Sequence, residues 1–251
     1  MYLIKSLHNN LIFYPSRDFC STPGSEGIVH EEVLIDTEDG ERLHGYFFPA
    51  KNKTDKIIIY LHGNGDNVSG WYIAPFQIQQ YVNVNALLID YRGYGKSTGK
   101  PSIDGVIKDA EAMYAYLISR GYKGKDISLY GRSLGGAIAL ELANKVTARS
   151  IVIQSSFTSL KDAAKDIYPF IPSILIEGKT FNSKELIKKI NVPILISHGE
   201  DDEVIPVKHS YVLYELANEP KKLIVFPNAD HNNVGEHFNE EYFNALSQFF
   251  T

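Results

Sequence analysis

The chain has 251 residues, 44% apolar and 22% charged, with a net charge of −5. That length and balance suit one large α/β domain over residues 1–251, and the acidic surplus, with no cluster of Lys and Arg, excludes a nucleic-acid-binding surface. A single cysteine, Cys20, excludes an intrachain disulfide and fits a reducing, cytoplasmic compartment.

The first segment, MYLIKSLHNNLIFYPSR, is apolar but interrupted by Lys5 and His8-Asn9-Asn10. These break it well short of the ~20 residues a membrane span needs. Leu3, Ile4, Leu7 and Leu11 could form a helical stripe, expected to pack on the domain, with a weak membrane contact as the alternative. EEVLIDT and RLHGYFF then flank Glu38-Asp39-Gly40 and predict an antiparallel hairpin. Six further apolar runs follow: KIIIYLHG, NALLIDYRG, DISLYGRS, SIVIQSSF, VPILISHGE and KKLIVFPNA. None alternates with polar residues, as befits strands covered on both faces. Helical stretches lie between them, the clearest being SIDGVIKDAEAMYAYLISRG, with Ser102 as N-cap and Gly121 as stop. Alternation of this kind predicts a mainly parallel sheet of about eight strands with helices on both faces, whose ligands bind at the carboxyl ends of the strands. The rhythm breaks over 158–190, where Pro169 and Pro172 preclude a long helix and no strand is expected. An insertion after the sixth strand reads as a small lid, with one ordinary connecting helix plus a loop as the alternative.

Each strand end carries polar residues, and one carries a pattern. Gly131-Arg132-Ser133-Leu134-Gly135 fits G-x-S-x-G between an apolar strand and an apolar helix. Such a turn pushes the serine hydroxyl outward, leaves no room for side chains two positions either way, and places free helix N–H groups beside the hydroxyl. Gly136 would let the helix approach the sheet. A serine needs a general base, and the base an acid to orient it. Of eight histidines, His8, His30 and His44 precede the serine, while His209 and His237 fall in helical stretches. His62 and His198 are each followed by glycine at a strand end, where an imidazole anchors a loop. His231, in PNADHNNV past the last strand, is left as the base. For the acid, HGEDDEVIP offers Glu200, Asp201, Asp202 and Glu203, and spacing alone does not separate them.

The motifs FYPSR, DTEDGERLHGYFFPA, YLHGNGDN, DYRGYGKSTGKPS, LYGRSLGGAIA, SSFTSL, HGEDDEVIP and DHNN resemble, in order and spacing, the α/β-hydrolase superfamily. The resemblance is to its small serine-hydrolase branch, which includes protein depalmitoylases and related esterases. It implies an α/β-hydrolase fold and selects Asp202, four residues after His198, as the acid beside Ser133 and His231. It also implies oxyanion-hole N–H groups at Asn64 and Leu134. The chain departs from some relatives in lacking a membrane-spanning or cysteine-rich N-terminal segment, so membrane-protein substrates do not carry over. The implied reaction is acyl transfer to water with no cofactor and no metal. A histidine base must be neutral, so activity is expected to fall on the acid side.

GYGKS at 93–97 mimics part of a phosphate loop, but Asp90 stands where the first glycine belongs, so it reads as a structural turn. The HGNG stretch has no partner at metal-ligand spacing. Phe157, Tyr168, Phe170 and Ile171 are candidates for an acyl pocket, which suits a short to medium ester or thioester substrate; packing of the lid's apolar residues onto the domain is the equal alternative. Two alternatives share this fold: a serine peptidase and a non-catalytic binding protein. Oligomeric state is not legible.

Overall fold

The computed structural model describes residues 12–167 and 181–251. The strands among the described residues are β1 (Tyr14–Pro15), β2 (Glu31–Asp36), β3 (Arg42–Phe48), β4 (Ile57–Leu61), β5 (Gly65–Asp66), β6 (Asn85–Ile89), β7 (Ile127–Arg132), β8 (Ile151–Gln154), β9 (Ile194–Gly199) and β10 (Lys221–Phe226). The eight predicted runs form one sheet in the order β10-β9-β8-β7-β4-β6-β3-β2. Its β10-to-β6 part is parallel, and the β2–β3 hairpin adds antiparallel strands at one edge. The hairpin closes as expected, with Asp36 opposite Arg42 and Gly40 at φ +89°.

Unbroken apolar runs make strands here because both faces are covered. In β4 the period of two sends Ile57, Ile59 and Leu61 to one core cluster and Ile58 and Tyr60 to the other. The first cluster takes Val106, Met113 and Leu117 of the helix Ile103–Ser119, Leu140 of Leu134–Ala143 and Leu213 of Lys208–Leu216. The second takes Val68 and Tyr72, Ile78 of Ile73–Tyr81, and Tyr242, Leu246 and Phe250 of Glu240–Phe250. Edge strand β2 alternates instead, with Val33 and Ile35 buried and Leu34 exposed. Ser102 caps its helix by accepting from the Gly105 N–H at 3.1 Å, and Gly121 ends it at φ +93°. The helix is thus bounded where its sequence signals place it.

Two features lay beyond those signals. Strand β1 pairs in parallel with β5, laying Tyr14 and Pro15 along the loop that follows β4, while the expected stripe of Leu3, Ile4, Leu7 and Leu11 lies outside the described residues. In the 158–190 segment, helices Leu160–Ile167 and Ser183–Leu186 are present, while the expected lid residues 168–180 lie outside the described residues. Among the described residues, no helix is long and apolar enough to cross a membrane.

Candidate active site

The turn from β7 into the helix Leu134–Ala143 holds Ser133 at φ 53° and ψ −117°, a conformation that costs a non-glycine residue on the order of 1–3 kcal/mol. The surrounding backbone enforces it. Ser133 donates its N–H to the Gln154 carbonyl at 2.8 Å, and its own carbonyl accepts from the Gly136 N–H at 3.0 Å and the Ser156 hydroxyl at 2.8 Å. A Cβ at Gly131 would stand 2.2 Å from the Gly135 carbonyl oxygen, and one at Gly136 2.6 Å from the Ser156 Cβ. The glycines are required by close approach of backbone to backbone across the turn and of helix to sheet.

His231, past β10, points its ring at this serine, with Nε2 3.2 Å from Ser133 Oγ. Its other nitrogen, Nδ1, lies 2.7 Å from Oδ2 of Asp202, which is buried in the loop after β9. An ionised carboxylate only accepts, so Nδ1 carries the proton and Nε2 is left to accept from the serine hydroxyl. Burial alone would raise the Asp202 carboxyl. Hydrogen bonds from His198 and His231, electrostatic attraction to the His231 ring and the Ile205 N–H outweigh it and hold the group well below the usual carboxylate range. Asp202 Oδ1 also accepts from the N–H groups of Val204 and Ile205, at 2.9 and 2.7 Å. The other three acidic residues of HGEDDEVIP are exposed.

The two histidines set aside from the sequence do anchor loops. His198 donates through Nε2 to the Ile205 carbonyl at 2.7 Å and accepts at Nδ1 from the Ser210 hydroxyl at 2.6 Å, which fixes the loop carrying Asp202. His62 donates through Nδ1 to the Gly63 carbonyl at 2.7 Å, and burial pushes it down to about 4. Its Nε2 lies 3.7 Å from Asp90 at the end of β6, whose carboxyl burial raises well above its usual range.

Asn64 sits in the loop between β4 and β5. Its side-chain oxygen accepts from the Tyr14 N–H at 3.1 Å and the Tyr94 hydroxyl at 2.9 Å, while Nδ2 donates to the Ile12 carbonyl. The neighbouring Asn67 donates through Nδ2 to the Asp18 carbonyl at 2.7 Å. Residues 12–18 and the GYGKS turn together brace this loop, a role that local spacing does not signal, since it depends on pairings 30 to 52 positions apart in sequence. Leu134 begins its helix, so its N–H is among those the helix leaves without an internal acceptor. Of the pocket candidates, Phe157 is buried in the same core cluster as Leu134 and Phe181, whereas Tyr168, Phe170 and Ile171 lie outside the described residues.

The family described as serine aminopeptidase, S33, matches residues 52–177. The Escherichia coli K12 protein YfhR is 31% identical over 241 residues, covering 92% of this chain and 82% of its own length. Protein bem46 of Schizosaccharomyces pombe is 30% identical over 243 residues, covering 93% and 81%. Among solved structures, an esterase of Pyrococcus furiosus superposes with a TM-score of 0.77 at 25% identity, over 95% of this chain and 97% of that one. With a parallel-centred sheet of this order and matches along most of its length, the chain belongs to the serine aminopeptidase S33 family of α/β-hydrolases.

Proposed function

We propose that this hydrolase-family protein is a serine hydrolase that cleaves carboxylic ester or thioester bonds of short to medium acyl substrates through an acyl-enzyme. The observation that carries the reading is the continuous hydrogen-bonded path from Ser133 Oγ through His231 to Asp202, at 3.2 and 2.7 Å. In this reading Ser133 Oγ attacks the acyl carbon as His231 Nε2 takes its proton, and Asp202 holds the ring and balances the imidazolium. The backbone N–H groups of Leu134 and Asn64 receive the developing oxyanion, each worth roughly 10²–10³ in rate. The side chain of Asn64 is engaged with Ile12, Tyr14 and Tyr94, so its contribution to the site is its backbone. Collapse of the tetrahedral intermediate breaks the bond to the alkoxide or thiolate, which leaves with the proton from His231. Water, deprotonated by the same nitrogen, then releases the acid and restores Ser133.

The test is hydrolysis of p-nitrophenyl esters from acetate to palmitate by the wild type and by Ser133→Ala, with fluorophosphonate labelling alongside. A rate that peaks at one chain length and vanishes in the variant supports the esterase reading. The family's description favours a second reading, peptidase activity, and turnover of aminoacyl-p-nitroanilides in place of the esters would establish it. A wild type that neither turns over substrate nor labels would leave a binding protein.

A further inference from the structure

Arg132 occupies the first variable position of G-x-S-x-G, where the pattern asks for nothing, yet its side chain joins three parts of the site. It is the last residue of β7 and adjoins Ser133. One guanidinium nitrogen, Nη2, donates to the His231 carbonyl at 2.7 Å and lies 3.4 Å from the Asn232 carbonyl. Among the described residues, this is the one hydrogen bond that the main chain of His231 receives. The guanidinium carbon also lies 4.9 Å from the centre of the Trp71 ring. Trp71 in turn donates its Nε1–H to the Gly65 carbonyl at 2.8 Å, and its ring packs where a Cβ on Gly63 would stand 3.0 Å away. Gly63 and Gly65 bracket Asn64.

The chemistry of the contact argues against a residue kept for stability. The guanidinium donates to main-chain carbonyls and, among the described residues, to no carboxylate; its Nε is buried without a hydrogen bond of good geometry, and the polar side chain it meets is the buried Tyr60 hydroxyl. Burying an unsatisfied donor costs free energy that an apolar side chain of the same length would avoid. A guanidinium can stack on an indole and donate to a carbonyl in its own plane at the same time, which an ammonium does not do. We infer that Arg132 is a positioning residue: it ties the loop of His231, and through Trp71 the loop of Asn64, to the strand end that carries Ser133. The inference rests on the serine-hydrolase reading.

The test compares the wild type with Arg132→Met, which keeps length and apolar stem, and Arg132→Lys, which keeps charge and a single donor nitrogen but not the planar fork. Four quantities are measured: kcat, KM, the rate of fluorophosphonate labelling, and Tm. Displacements of reacting groups by about 1 Å cost roughly a hundredfold. Arg132→Met should therefore lose about ten- to a hundredfold in kcat and in labelling rate, with KM and Tm close to the wild type. Arg132→Lys should fall between the two, and it carries the test alone if the Met variant does not fold. Unchanged kcat and labelling in folded variants of an active protein would overturn the inference and leave the serine-hydrolase reading intact. A fall in Tm with normal turnover per labelled site would reduce Arg132 to a stability role and also overturn it. A wild type that neither hydrolyses nor labels would overturn the reading itself, and the inference with it.

Discussion

Gly135 lies against the end of β4, so closely that a Cβ at position 135 would stand 2.0 Å from the carbonyl oxygen of Leu61 and 2.7 Å from that of His62. Both neighbours are backbone at the end of a central strand, Leu61 its last residue and His62 the next, and cannot yield. In an exposed helix, replacing glycine by alanine gains about 1 kcal/mol; here it should cost about 3 kcal/mol or more, because the helix must lift from the sheet. Gly235→Ala is the control, since its Cβ would meet only Gln77 Oε1 at 3.8 Å, and it should change stability by less than about 0.5 kcal/mol. Denaturant titration of both variants checks the contrast. A Gly135→Ala protein as stable as the wild type would contradict the close approach.

Ser133 should show stability and activity in opposition. At φ 53° its backbone sits where glycine is at ease. Ser133→Gly should therefore gain about 1 kcal/mol once the extra freedom of glycine in the unfolded chain is deducted, whereas Ser133→Ala keeps the strained backbone and should gain little. Both should abolish hydrolysis. Calorimetry of the pair decides, and equal Tm values would show that the turn carries no strain.

How far the sequence led is visible at these same positions. Glycines at 131, 135 and 136, a serine between them and a histidine beyond the last strand are local signals, because each reflects a constraint within a few residues. The eight strands of the main sheet were legible for a similar reason: Ile57, Ile58 and Ile59 in succession demand cover on both faces. The acid was harder. Glu200, Asp201, Asp202 and Glu203 share one chemistry that spacing does not separate; the family resemblance selected Asp202, and the fold gives the reason, turning it inward to His231 while its neighbours face solvent. Long-range braces were not legible. The Ile12–Pro15 segment on Asn64 and Arg132 on the His231 carbonyl join positions 50 to 99 apart, and no periodicity encodes such pairings.

Asp202→Asn should lower kcat by roughly 10⁴, since an amide can present a donor to His231 Nδ1 and favour the wrong tautomer. The same substitution has a sign in pH. The Asp202 carboxyl titrates lower in the folded protein than in the unfolded chain, so its stabilising contribution is complete above about pH 4, the unfolded value, and is lost as pH falls toward the folded one. Thermal melts of wild type and variant should thus differ most near neutrality and converge below about pH 4. A gap that widened on acidification would show that hydrogen bonding does not outweigh burial at this carboxylate.

The flanks of segment 168–180 are joined by a second carboxylate, and its behaviour in acid is open to measurement. Asp162, in the helix Leu160–Ile167, accepts from Lys184 at 2.8 Å and from the Thr158 hydroxyl at 2.8 Å, while Ser159 Oγ accepts from its backbone N–H at 3.0 Å. Thr158 is held from the other side by His209, whose Nδ1 accepts from the Thr158 N–H at 3.2 Å and whose Nε2 lies 2.9 Å from Asp166. Burial raises the Asp162 carboxyl, but hydrogen bonds from Lys184, Ser159 and Thr158 prevail and lower it to about 2. A group depressed in this way stabilises the fold fully above about pH 4 and ceases to do so as pH falls toward 2. Lys184 is partly exposed, so solvent screens the pair and its worth is on the order of 1 kcal/mol. Asp162→Asn should accordingly lower Tm by about 2–4 °C at pH 7, and the difference should vanish between pH 4 and 2. Limited proteolysis at neutral pH gives a local readout: cleavage within 158–190 should accelerate in the variant, because both flanking helices lose a shared tie. Equal cleavage rates and a gap in Tm independent of pH would show that Asp162 does not join the two flanks.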